Sequence, residues 1–159
     1  MLMKDKMTIV VFSGNLDKVY ASFILANTAA SMGMDVTMFF TFWGLNIITK
    51  KGAKIKGGLK QKMFSLINKT GPDKTALSKF HMLGIGTAMI KKLMKDYKMM
   101  PIPEMVSLAH EQGVKMIACT TTMTMFGLSK ESFLPEVDTV AGAATYISEA
   151  KDASINLFI

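Results

Sequence analysis

The sequence predicts an α/β fold built on a mostly parallel sheet of about five strands. Three observations carry that prediction. Residues 7–12, Met-Thr-Ile-Val-Val-Phe, form a continuous apolar run, the pattern of a strand buried on both faces. A turn, an amphipathic helix and a second such run at 35–40 follow. Strand, helix and strand in so short a stretch demand a parallel pair joined by a crossover. Three further short runs in the last third of the chain alternate with helical segments in the same way.

Taken in order, the elements have local causes. Ser13-Gly14-Asn15 closes the first strand as a turn, with Asn15 placed to cap the next helix. That helix sets Leu16, Val19, Tyr20, Phe23, Ile24 and Ala30 on one stripe and stops at Gly33. Beyond the second strand, Trp43-Gly44-Leu45 opens a short helix ending near Gly52. Gly57-Gly58 and Gly71-Pro72 then break a segment in which residues 59–67 read as a short amphipathic helix. Phe80 to Tyr97 reads as helical at least from Thr87, with Met89, Ile90, Leu93 and Met94 as its apolar face; its Gly84 and Gly86 mark close backbone packing or an approaching ligand. Pro103 starts the next helix, whose stripe is Met105, Val106, Leu108 and Ala109 and whose stop is Gly113. A strand at 114–118 leads to Cys119 and a short helix near 122–126. Ser129 to Ser132 looks like the cap of a helix reaching Pro135, residues 137–140 like a short strand, 142–150 like a helix and 155–159 like a closing strand.

Composition narrows the function. A chain of 159 residues fits one domain, 1–159, with a basic insertion at about 50–79. Half of its residues are hydrophobic and 19% are charged, which argues against disorder. A single cysteine excludes an internal disulfide, and with only two histidines no structural zinc cluster is expected. Sixteen methionines are scattered among core-like positions without the dense repeat that copper binding would use. No metal or cofactor is expected. The N-terminus carries no apolar signal core, and the most apolar window, 36–48, is too short to span a bilayer. A cytoplasmic location is therefore expected.

The net charge of +7 is concentrated. Residues 50–79 hold nine lysines against Asp73, and the remainder holds ten lysines against eleven acids. This stretch reads as a solvated loop, as a dock for an acidic partner or anionic small molecule, or as a peripheral patch for anionic membrane through 59–67. All basic residues are lysine. Without arginine, bidentate reading of phosphates or bases is not expected, and neither is a specific nucleic-acid partner.

Cys119 is the leading candidate for chemistry. It sits at the carboxyl end of a strand and ahead of a helix N-terminus, where partial positive charge favours a thiolate and where ligand crevices of open sheets form. A lone cysteine also serves as a small buried hydrophobe. Both readings stand on position alone. Ser13, Gly14 and Asn15 lie at the end of the first strand and supply donors to the same crevice or a plain turn; Trp43 walls a pocket or fills core. His81, beside the double-glycine stretch, binds or merely caps, while His110 in a last helical turn satisfies helix carbonyls. Gly84-Ile85-Gly86 is not a dinucleotide fingerprint, because no strand precedes it and the third glycine is missing.

Several segments together resemble the DsrE/DsrF/DrsH-like family, in particular its longer DsrE-related branch. They are Ala26-Asn27-Thr28-Ala29-Ala30-Ser31-Met32-Gly33, Phe39-Phe40-Thr41-Phe42-Trp43-Gly44-Leu45, Leu77 to Gly86, Ala118-Cys119 and Asn156-Leu157-Phe158-Ile159. The resemblance implies a three-layer α/β/α fold and a trimeric or hexameric assembly. It also implies sulfur-relay, sulfurtransferase-like chemistry, with Cys119 holding sulfane sulfur as a persulfide between donor and acceptor proteins or small thiols. Helix N-terminal amides near Thr121 and Thr122, and the Thr120 or Thr121 hydroxyl, are then the expected hydrogen-bond donors to the sulfur. Where the branch often has an Asp shortly before the Met-Gly-like end of the segment that follows the cysteine, this chain has Thr124, so an Asp that positions or titrates the thiol has no counterpart at that place. The alternative function is a non-catalytic oligomeric module that holds a nucleotide-like or CoA-like anion at the strand ends.

Overall fold

The structure is a computed structural model that describes residues 5–159; the N-terminal reading above rests partly on Met1 to Lys4, which lie outside the described residues. Five strands, β1 (Lys6–Val11), β2 (Asp35–Phe40), β3 (Lys115–Cys119), β4 (Thr139–Ala141) and β5 (Ile155–Phe158), form one sheet. Their order is β4-β3-β2-β1-β5, and every pairing is parallel. The helices are α1 (Leu16–Ser31), α2 (Leu59–Ile67), α3 (Ile85–Asp96), α4 (Ile102–Glu111), α5 (Thr120–Met125) and α6 (Ala143–Ala150).

This order assigns the helices to faces. Parallel crossovers are right-handed, so the steps from β1 to β2, β3 and β4, all in one direction, put their connections on one face. The return from β4 to β5 puts α6 on the other. Along β1, Met7, Ile9 and Val11 enter the main core with Val36, Met38 and Phe40 of β2 and the buried sides of α1 and α4. The alternate residues Val10, Phe39, Ile117 and Cys119 form a smaller cluster on the opposite face, under Tyr146 of α6. Helices on both sides of the sheet make three layers, as expected. No helix of the described residues is long and apolar enough to cross a membrane.

Alpha-six is only eight residues long and is pinned rather than deeply buried. Tyr146 lies 5.2 Å from the Phe39 ring, and Glu149 pairs with Lys6 at 2.5 Å and Lys115 at 2.7 Å. Beyond α6 three exposed aromatic rings stack on one another. Phe12 stacks at 5.3 Å on Phe42 and at 5.6 Å on Phe158.

Several local expectations are corrected. The helix expected after Trp43 is a 3-10 stretch, Phe42–Ile48, that buries Leu45, Ile47 and Ile48. The helix expected from Ser129 to Pro135 is one 3-10 turn, Lys130–Ser132. Its continuation is captured by strand-like pairing, since Leu134 N–H donates to the Ile48 carbonyl and Phe133 bridges Thr49. On α1, Ile24 is 45% exposed, and Ala26 and Ala29 take its place in the core. On α3 only Ile90 and Met94 of the predicted stripe pack inward, while Met89 and Leu93 face out. Of the two glycines marked by the sequence, Gly84 is the cap residue of α3 and Gly86 lies in its first turn. A Cβ on Gly86 would stand 1.6 Å from the Phe80 carbonyl oxygen, which is close backbone packing.

Candidate functional site

Strand β3 ends on Cys119, whose extended backbone (φ −69°, ψ 118°) makes it the cap residue of α5. The residue is 6% exposed. Burial pushes the thiol pKa up. Four hydrogen bonds act against it and win: from the Thr41 hydroxyl, the Thr122 amide and hydroxyl, and the Thr121 amide. The thiol therefore titrates below its ordinary range. No lysine is among these causes. The thiolate is favoured by neutral donors fixed in place, through hydrogen bonds to the charged form.

The donors are positioned by sheet register. Phe40 of β2 pairs with Ala118 of β3, so the next residue along each strand brings Thr41 beside Cys119. Thr122 is 3% exposed, lies 3.0 Å from the Thr41 hydroxyl, and accepts the Phe42 amide at 3.1 Å. Each hydroxyl carries one proton. When one threonine donates to the other, one proton remains for the sulfur; when both turn to the sulfur, the thiolate gains a second donor.

The sequence-predicted residues divide into two groups. Thr121 reaches the thiol through its amide, and Thr120 is exposed, with its carbonyl accepting from the Thr124 hydroxyl. The amides of Thr121 and Thr122 are the helix N-terminal donors expected from the sequence, whereas the hydroxyls at the sulfur are those of Thr41 and Thr122 and not of Thr120 or Thr121. The signal was present in the pairing of β2 with β3, but that register is a tertiary fact.

Ser13, Gly14, Asn15, Trp43 and His81 come together elsewhere, around a cavity of about 670 Å³. The turn and the 3-10 stretch touch backbone to backbone there: a Cβ on Gly14 would lie 2.7 Å from the Trp43 carbonyl oxygen. Asn15 occupies the cap position of α1 without a side-chain cap. Its amide donates instead to the Ser13 hydroxyl at 3.2 Å, and the Leu16 amide finds the Ala76 carbonyl at 2.7 Å. His81 Nδ1 lies 2.9 Å from the Thr87 hydroxyl, which also accepts the Leu77 amide. His110 is exposed on α4. The structure thus places Cys119 and the predicted crevice residues on either side of one short segment: Thr41 faces the thiol, and Trp43 walls the cavity.

Comparison with known proteins follows the fold closely. Residues 3–158 match the model of the DsrE/DsrF/DrsH-like family. The YrkE protein of Bacillus subtilis is 44% identical over 153 residues, covering 96% of this chain and 95% of that protein. The sulfur carrier protein DsrE2 of Allochromatium vinosum is 36% identical over 167 residues, covering 98% of this chain and 99% of its own. The crystal structure of the ychN protein from E. coli superimposes with a TM-score of 0.59 over 99% of this chain and 100% of that one, at 12% identity, a likeness of fold.

Proposed function

The chain belongs to the DsrE/DsrF/DrsH-like family, and from that premise we propose that it is a sulfur carrier that holds sulfane sulfur on Cys119. One observation carries the reading: a nearly buried thiol whose pKa is nevertheless lowered, by hydrogen bonds from Thr41, Thr122 and Thr121. The similarity to a sulfur carrier protein along the whole chain supports it.

The chemistry needs no other redox partner. The Cys119 thiolate attacks the outer sulfur of a donor persulfide, forming a new S–S bond as the donor's S–S bond breaks. The donor leaves as a thiolate, and the persulfide anion on Cys119 inherits the hydrogen bonds that held the thiolate. An acceptor thiolate then attacks the outer sulfur and restores Cys119. Since the chain has one cysteine, release is intermolecular, to a partner protein or a small thiol. That matches a relay, not a disulfide reductase.

The test is intact-mass analysis after incubation with glutathione persulfide. The expected result is a gain of one sulfur atom, removable by dithiothreitol and absent from Cys119→Ala. No gain, or an undiminished gain in Cys119→Ala, overturns the proposal.

A further inference from the structure

The cavity beside Trp43 has a wall chemistry that thiol transfer does not use. Three lysines converge on it from separate segments: Lys69 after α2, Lys74 from the turn at Pro72–Lys74, and Lys91 from α3. Asp73 is the one carboxylate on the wall, and it lies 3.4 Å from Lys74 Nζ. Lys91 Nζ donates to the Asp73 carbonyl at 2.9 Å, and among the described residues no carboxylate lies at ion-pair distance from it. Three cations against one anion leave an excess of two positive charges. Burial lowers the pKa of Lys91, and a bound anion would reverse that.

A second observation points to a missing partner. Thr75 lines the same cavity and is 5% exposed, yet its hydroxyl has no hydrogen-bond partner among the described residues. Buried hydroxyls are seldom left so. The remaining wall includes Trp43, 42% exposed, which offers an apolar ring surface. The volume falls within the roughly 300–1,000 Å³ usual for small-molecule sites.

We infer that this cavity binds a small phosphate ester, with Lys74, Lys91 and Thr75 holding the phosphate and Trp43 packing on the organic part. A carboxylate carries one charge, whereas a phosphate monoester carries about two near neutral pH, which matches the excess. Lysine suits such a ligand, since it meets phosphate as a point charge without bidentate geometry. The site is distinct from the thiol, because neither Cys119 nor Thr122 lines it.

Trp43 is the sole tryptophan of the chain, so its fluorescence reports the cavity directly. Adenosine 5′-monophosphate, ribose 5-phosphate and adenosine are titrated separately. The two phosphate esters are expected to give saturable changes, and adenosine none. Equal affinities for the esters assign recognition to the phosphate alone; tighter binding of the nucleotide adds packing of the base on Trp43. Losing one charged contact predicts binding weaker by about 10-fold or more in Lys74→Gln or Lys91→Gln, with a decrease in Thr75→Val as well. Lys151→Gln, outside the cavity, keeps wild-type affinity. The inference is overturned by phosphate esters that give no saturable change up to millimolar concentration. It is equally overturned by adenosine binding as well as they do, or by Lys74→Gln and Lys91→Gln both binding like wild type while retaining its melting temperature.

Discussion

Replacing Thr41 by valine deletes one hydroxyl beside Cys119 while keeping the β-branched shape of the side chain. The hydroxyl is one of the donors that lower the thiol pKa, and a hydrogen bond to a charged group contributes about 1.5–3 kcal/mol. Thr41 is half-exposed and shares its hydrogen bond with Thr122. The lower figure therefore applies, since Thr122 turns its own proton to the sulfur in compensation. A change of about 1.5 kcal/mol is roughly a tenfold loss of thiolate at any pH below the midpoint. The thiolate that remains is more basic and, at a Brønsted slope of about 0.5, about threefold more nucleophilic. The net effect is alkylation about threefold slower at pH values well below the midpoint, with the midpoint of the rate–pH profile moved upward. The assay is iodoacetamide labelling across pH, read by intact mass. Thr122→Val is a less clean probe, because it also strips the Phe42 amide of its acceptor. An unmoved midpoint in Thr41→Val and in the Thr41→Val/Thr122→Val pair would refute the hydrogen-bonded thiolate.

Other consequences are equally direct. In wild-type protein at pH 7, a bulky maleimide should be slowed far more than iodoacetamide when each rate is divided by that reagent's rate with a free cysteine peptide, because the thiol is only 6% exposed; equal normalised rates contradict the burial. Hydrogen bonds from Lys115 and Lys6 lower the pKa of Glu149 from 4.5. Its stabilisation is thus present above about pH 4.5 and lost as pH falls through the lowered folded value. Glu149→Gln should cost about 1 kcal/mol or less above pH 4.5 after allowance for solvent screening, with the two melting curves converging in acid. A constant difference down to the acid limit contradicts the ion pairs. Gly44→Ala places a Cβ 2.0 Å from the Val11 carbonyl oxygen, a clash inside β1. It should lower stability in urea by more than about 2 kcal/mol and disturb Trp43 next to it; a change under half of that would show that the segment yields easily.

Much of this protein is local and therefore readable in the chain. Continuous apolar runs at β1 and β2, closed by Ser13-Gly14 and by Trp43-Gly44, state strand, turn and strand without help from distant residues. The lone cysteine at a strand end, and the lysines packed into residues 50–79, are likewise visible as they stand. The tertiary structure decided which of these features meet. Period-two alternation says that Ala118 and Cys119 face opposite ways, but only the crossover directions assign Cys119 to the α6 face. Only the pairing of β2 with β3 sets Thr41 at the thiol, in contact with a threonine 81 residues away. The same pairing separated what the chain had grouped as one crevice, leaving Ser13 to Asn15, Trp43 and His81 around a lysine-lined cavity without Cys119. Local propensity is set by neighbours in sequence, whereas hydrogen-bond partners and charge convergence are set by register and handedness, which exist only once the sheet has formed.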